Sequence, residues 1–260
     1  MTGQGRALLE VRAVSKSFDS VKALEDVSMD VREGQIVGLI GPNGSGKTTL
    51  FNVITGFYVP DSGEVWFNNG PSRVRIDGLN PNEVFNMGIV RTFQIPRLFG
   101  SMTVLDNIIV STAGQVGEGL LASLRPGKWR PQELELRRRA MELLRGLGME
   151  GLAHVRASEL STAHAKIVET LRGLMNPAKL YLLDEPAAGV DVIAARKIFD
   201  MIRRLRDERG LTFVIVEHRI DLLLDYVDYV YVLHNGRLLA EGEPGEVISN
   251  PKVIEAYVGG

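Results

Sequence analysis

"GPNGSGKT", Gly41–Thr48, decides the fold. A glycine, four residues and then Gly-Lys-Thr is the spacing of a loop that binds phosphate, and the chemistry needs each residue type. Gly41, Gly44 and Gly46 let successive backbone N–H groups curl around phosphate oxygens, with Pro42, Asn43 and Ser45 completing the turn. Lys47 brings a positive charge to the β- and γ-phosphates. Thr48 offers a hydroxyl to Mg²⁺, and Thr49 carries the loop into a helix. The flanks agree. "QIVGLI" before the loop suits a buried parallel strand, and "KTTLFNVITG" after it suits a helix closed by Gly56. The expectation is a nucleotide site.

"LYLLDEP", residues 180–186, supplies a second half. A buried strand ending in Asp184 brings a carboxylate near the loop, where it holds Mg²⁺ directly or through water. Glu185 next to it is placed to polarise an attacking water as general base. An apolar strand ending in Asp-Glu is common in itself. Paired with the loop, it predicts hydrolysis.

Composition excludes several alternatives. The chain has 260 residues, 45% hydrophobic and 24% charged, enough to bury a sizeable core. Thirty basic residues against 32 acidic ones leave no global field for nucleic acid, so no nucleic-acid partner is expected. With no cysteine there is no disulfide framework and no thiolate metal site. The opening "MTGQGRALLEVRAV" lacks the pattern of a signal peptide, and no apolar run approaches the roughly 18 residues of a membrane span.

Along the chain, "LLEVRAV", "VSMDV" and "DSGEVWFN" read as strands, and "GIVRTFQ" as another. From 95 to 130, glycines and prolines dominate around one predicted helix, "TVLDNIIVS". A helix is predicted from Pro131, with Leu136, Ala140, Met141, Leu143, Leu144 and Leu147 at helical spacing and Arg137, Arg138 and Arg139 on a solvated face. "STAHAKIVETLRGLM" predicts a helix capped by Ser161. Strands then alternate with helices over 192–209 and 219–225, and Asn235-Gly236 marks a hairpin turn. The predicted organisation is a nucleotide-binding core, 1–94 and 178–243, interrupted by a helical subdomain, 95–177, and followed by a helical extension, 244–260.

At this point the chain resembles the ATP-binding cassette (ABC) ATPases over nearly its whole length, with several motifs in the family's order. Phe18 in "VSKSFDSVKAL" stands where the family stacks an aromatic ring on adenine. Gln94 in "VRTFQ" stands where a glutamine reaches toward metal and attacking water. Asp191 in "AAGVD" matches the loop that crosses to a partner subunit, and His218 in "FVIVEH" the histidine that contacts the γ-phosphate. The fold implied is α/β: a phosphate-loop NTPase core with a mixed sheet and flanking helices, an N-terminal antiparallel β part and an inserted helical subdomain. The activity implied is ATP hydrolysis with ATP and Mg²⁺ bound.

"ITGFYVPDSGEVWFN", "MGIVRTFQIPRLFGSMTVLDNI" and "NPKVIEAYVG" narrow the resemblance to ATPase subunits of branched-chain amino-acid importers. That implies a peripheral protein on the cytoplasmic face of the membrane. It implies head-to-tail dimers with each ATP between one phosphate loop and the partner's signature helix. Integral membrane permease subunits would meet residues 95–110, and a solute-binding protein would act indirectly. The alternatives are a non-hydrolytic, regulatory nucleotide-binding module and a soluble ABC ATPase outside transport.

One motif departs from the family. Its Leu-Ser-Gly-Gly-Gln signature stands here as Leu160, Ser161, Thr162, Ala163 and His164. Thr162 and Ala163 keep their N–H groups at a helix N-terminus, but their side chains occupy space that glycine leaves to an approaching phosphate. Three expectations follow: a tolerated change, a homodimer with two weakened sites, or a heterodimer with one. The heterodimer is favoured, because Lys47, Asp184, Glu185 and His218 serve the opposite site and remain intact.

Overall fold

Alternating apolar residues build the first strands, β1 (Ala7–Phe18) and β2 (Val21–Arg32), which pair antiparallel across a tight turn with Asp19 at φ 50°. The computed structural model describes residues 7–70, 72–93, 95–118 and 124–258. The apolar run 36–40 forms β3 (Ile36–Ile40), buried at every position, and α1 (Lys47–Ile54) follows the glycine-rich loop. Next come β4 (Ser62–Asn69) and β5 (Ser72–Arg75), which complete a four-stranded antiparallel sheet ordered β2-β1-β4-β5. β5 was not expected: "SRVR" has one apolar residue, too few for a period, and it forms because β4 offers a ladder.

α2 (Pro81–Asn86) starts on a capping box between Asn80 and Glu83 and leads into β6 (Ile89–Arg91). Helices α3 (Val104–Val110), α4 (Pro126–Leu147) and α5 (Thr162–Leu174) follow, then β7 (Leu180–Asp184). The chain continues through α6 (Val192–Arg209), β8 (Thr212–Val216), α7 (Ile220–Leu224), β9 (Tyr229–His234) and β10 (Arg237–Gly242). It closes with α8 (Pro244–Ile248) and α9 (Pro251–Val258). β3 lies centrally in a six-stranded sheet ordered β10-β9-β3-β8-β7-β6, parallel except for β10. The β9–β10 turn has Asn235 at φ 48° and Gly236 at φ 76°, the two left-handed positions that Asn-Gly favours.

The described residues form two compact units. One lies within Met1–Arg91, Ala178–Glu185 and Ile202–Gly260, the other within Thr92–Pro177 and Pro186–Met201. The first holds both sheets. Its core gathers Leu9, Val11, Leu39, Phe51, Phe67, Leu182 and Val214. The Tyr231 hydroxyl ties the sheets together, donating to the Asp30 carbonyl at 2.9 Å and accepting from its N–H at 3.0 Å.

In the second unit α3, α4 and α5 pack on one another and bury Ile108, Leu136, Ala140, Leu144, Val168 and Leu171. α4 begins five residues before the predicted Pro131, at Pro126. An interior proline normally breaks a helix, through a lost N–H bond and a clash with the carbonyl four residues back. Here the helix continues through Pro131, which stands little more than one turn from its start at Pro126. Arg137 pairs with Glu133 and Asp106, and Arg138 with Glu135 and Glu142, so these arginines are solvated partners of acids.

Candidate nucleotide site

The glycine-rich loop leaves β3 and enters α1 with no side chain capping that helix, so its first N–H groups face whatever fills the loop. Two glycines are obligatory. Gly41 sits at φ 152°, and a Cβ there would stand 2.1 Å from the Leu233 carbonyl oxygen. Gly46 sits at φ 107°, and its Cβ would meet the Ala23 carbonyl oxygen at 2.5 Å. Lys47 Nζ folds over the loop, donating to the carbonyls of Gly41 at 2.7 Å and Pro42 at 2.9 Å. Burial pushes the Lys47 ammonium below its ordinary value, against the opposing pull of Glu185 and Asp184. Asn43, Gly44 and Thr48 are exposed, Thr49 is half-buried and Ser45 is buried.

The loop has a support that its own motif does not reveal. Gly236 of the β9–β10 turn donates its N–H to the Ser45 carbonyl at 3.1 Å, and its carbonyl accepts from Glu25 N–H at 2.7 Å. The hairpin is therefore a buttress. Asn235-Gly236 was legible as a turn, but its docking against the loop has no local signature.

β7 delivers Asp184 to the same end of the sheet. Its carboxylate is buried beside Arg91, whose guanidinium nitrogen lies 3.2 Å from Oδ2 and which also donates to Asn52 Oδ1 at 2.5 Å. Glu185 follows at φ 51°, a left-handed conformation that costs a non-glycine residue about 1–3 kcal/mol. Its N–H is tied to the Val216 carbonyl at 2.9 Å, and its Oε1 lies 3.0 Å from Nε2 of His218. That pair unites two residues read 33 positions apart in the sequence.

Phe18 ends β1 and is 38% exposed, and Tyr58 packs on its ring edge-to-face at 5.0 Å between centroids. Tyr58 was not singled out from sequence, since a tyrosine in a Gly-Pro-rich loop carries no periodic signal. Asp191 begins α6: its Oδ1 accepts from Ala194 N–H at 2.9 Å, an N-cap. Gln94 lies outside the described residues.

In the second unit Ser161 caps α5, as its spacing predicted. Its Oγ accepts from His164 N–H at 3.2 Å and lies 3.1 Å from His164 Nδ1, so the hydroxyl is engaged within its own helix. Ser161, Thr162 and His164 are exposed, and Ala163 is half-buried. One face of the same helix grips the segment after β6. Lys166 Nζ donates to the Phe93 carbonyl, and an Arg172 nitrogen donates to the Arg97 carbonyl at 2.7 Å. Glu169, between them, is buried with its Oε2 3.6 Å from Lys166 Nζ.

A glycine loop between a parallel strand and a helix, with a carboxylate ending another strand of the same sheet, defines a phosphate-loop nucleoside triphosphatase. Residues 24–188 match the family model described as "ABC transporter", and residues 237–260 match "Branched-chain amino acid ATP-binding cassette transporter". The chain belongs to the ABC transporter ATPases, in the branched-chain amino-acid importer type, and it is an ATPase.

A relative in Methanocaldococcus jannaschii, "Probable branched-chain amino acid transport ATP-binding protein LivG", is 43% identical over 256 residues, 97% of each chain. The crystal structure of a nucleotide-free ATP-binding cassette from an ABC transporter matches with a TM-score of 0.80 and 42% identity over 98% of this chain and 100% of that one. A dimeric cassette in a post-hydrolysis state with ADP and Pi matches at 0.75 and 26% identity, over 91% of this chain and 98% of that one. Among the described residues no helix is long and apolar enough to cross a membrane.

Proposed function

We propose that this chain couples ATP hydrolysis to the import of branched-chain or other hydrophobic amino acids, working as a peripheral subunit on the cytoplasmic face of the membrane. The relatives' names support that solute class, and the dimeric cassette supports a second ATPase chain as partner. Permease subunits meet residues 95–110 of the helical subdomain, and a solute-binding protein acts through them.

In this reading the loop Gly41–Thr49 wraps the phosphates and Phe18 stacks on adenine. Lys47 releases its two carbonyl partners to meet the β- and γ-phosphates. The oxygen-only donors available, the Asp184 carboxylate and the Thr48 hydroxyl, fit a hard cation such as Mg²⁺, and the resemblance adds Gln94 to that set. When bound, Mg²⁺ neutralises phosphate charge and polarises the γ-phosphoryl group. Glu185 accepts a proton from the attacking water, and His218 orients Glu185 and reaches the γ-phosphate. Asp191 contributes to the partner contact.

Ser161, with the N–H groups of Thr162, Ala163 and His164, faces the partner's ATP. Its oxygen accepts from His164 N–H, which leaves its own O–H to donate to a phosphate of that ATP. The two side chains where the family keeps glycine support a weakened site and a heterodimer in which the opposite site turns over.

The observation that carries this reading is the 3.0 Å contact of Glu185 with His218 at the strand ends beside the loop. It favours hydrolysis over a nucleotide-clamping module. Single-turnover ATP cleavage by the complex assembled with its membrane subunits tests it: cleavage by the native chain and none by Glu185→Gln is expected. Flotation with permease-containing membranes tests the location.

A further inference from the structure

Arg91 sits on β6 opposite Leu182 of β7, so its side chain emerges on the face that also carries Asp184, two residues further along. The two side chains meet with 5% and 3% of their surfaces exposed. Such a buried charge pair is a specific arrangement, since losing one partner leaves the other uncompensated. The other end of the guanidinium is held by Asn52 on α1, and the group lies over the Phe51 ring at 5.5 Å. Asn52 is one helical turn after Thr48, on the same face of α1. A single arginine thus spans from the helix that carries the Thr48 hydroxyl to the strand that carries the Asp184 carboxylate.

We propose that Arg91 is the positioning residue of this oxygen pair: it neutralises and fixes Asp184 while the site awaits nucleotide, so that a divalent cation is taken up together with ATP and not before it. The charge of Asp184 is already matched by the guanidinium, so a free cation gains little there. Nucleotide phosphates bring the extra negative charge that makes a second cation favourable. The inference rests on the reading of Asp184 as the cation-holding carboxylate.

The test uses Mn²⁺ as the probe, its binding to the full chain followed by electron paramagnetic resonance with and without ATP. In Arg91→Gln, Mn²⁺ binding without nucleotide is expected to tighten by roughly tenfold, because Asp184 loses its fixed counter-charge. Arg91→Lys keeps the charge and is expected to restore most of the native weakness. Asn52→Ala, which loosens the arginine without removing it, is expected to shift Mn²⁺ binding the same way by a few-fold and serves if Arg91→Gln fails to fold.

A folded Arg91→Gln, or an Asn52→Ala chain if that one does not fold, with native nucleotide-free Mn²⁺ affinity would overturn the proposal. Asp184→Asn separates the two layers. If it leaves Mn²⁺ binding with ATP unchanged, the reading of Asp184 fails. If it weakens that binding while Arg91→Gln changes nothing without ATP, only the role of Arg91 fails.

Discussion

Nε2 of His218 lies 3.0 Å from Oε1 of Glu185, each residue just beyond one of two adjacent parallel strands whose ends pair Asp184 with Val216. The contact orients a carboxylate whose backbone is held in a left-handed conformation by a hydrogen bond to Val216.

Replacing Glu185 by Gln keeps the shape and removes the proposed base. Turnover of the assembled complex should fall by about 10²- to 10⁴-fold, the usual contribution of a general base. ATP affinity should change little. Steady-state phosphate release and equilibrium binding of a fluorescent nucleotide measure the two separately. Equal losses in both would contradict the assignment.

The loop's geometry makes a sharper demand. Gly41→Ala drives a Cβ to 2.1 Å from a backbone carbonyl that has no room to yield. A loss of stability of about 2 kcal/mol, together with loss of nucleotide binding, is expected. Gly44→Ala has open space and strains only φ, so a smaller loss is expected from thermal melting.

At the altered signature, Thr162→Gly with Ala163→Gly should destabilise α5 by up to about 1 kcal/mol per residue, less at the capping end. Turnover of the complex should change only modestly. A rise by orders of magnitude would remove the argument for one weakened site. Ser161→Ala removes the cap and should cost about 1 kcal/mol in the chain alone.

Acid stability should report on Glu10. Burial alone would push its carboxyl up, but the Asn68 amide and the Arg12 and Arg73 guanidinium groups outweigh it and hold the carboxyl below its ordinary 4.5. A depressed folded value means that the unfolded chain binds the extra proton first. The stabilisation is therefore complete above about pH 4.5 and is lost as pH falls through the lower folded value. Glu10→Gln should flatten that part of the urea-unfolding profile below about pH 4.5. An unchanged slope would count against the network.

Much of this was legible in the chain. The loop Gly41–Thr48, the strand ending at Asp184, the cap at Ser161 and the Asn235-Gly236 turn are local. Each rests on the period of a strand or helix, or on a conformation that few residues adopt. β5 escaped because its reason is a neighbour, a free ladder on β4, and the first five residues of α4 escaped because Pro131 reads as a helix start and stands inside the helix.

The sequence by itself determined the phosphate loop, the Asp-Glu pair at a strand end, and most of the strands and helices. These depend on residue types at short spacing, where backbone sterics and hydrogen bonding act directly. Only the tertiary structure decided that Glu185 meets His218, that the β9–β10 hairpin braces Ser45, and that Arg91 spans from Asn52 to Asp184. Such contacts depend on which strands become neighbours and on which faces their side chains emerge. Sheet order settles that, and hydrogen bonds between distant segments leave no period in the chain.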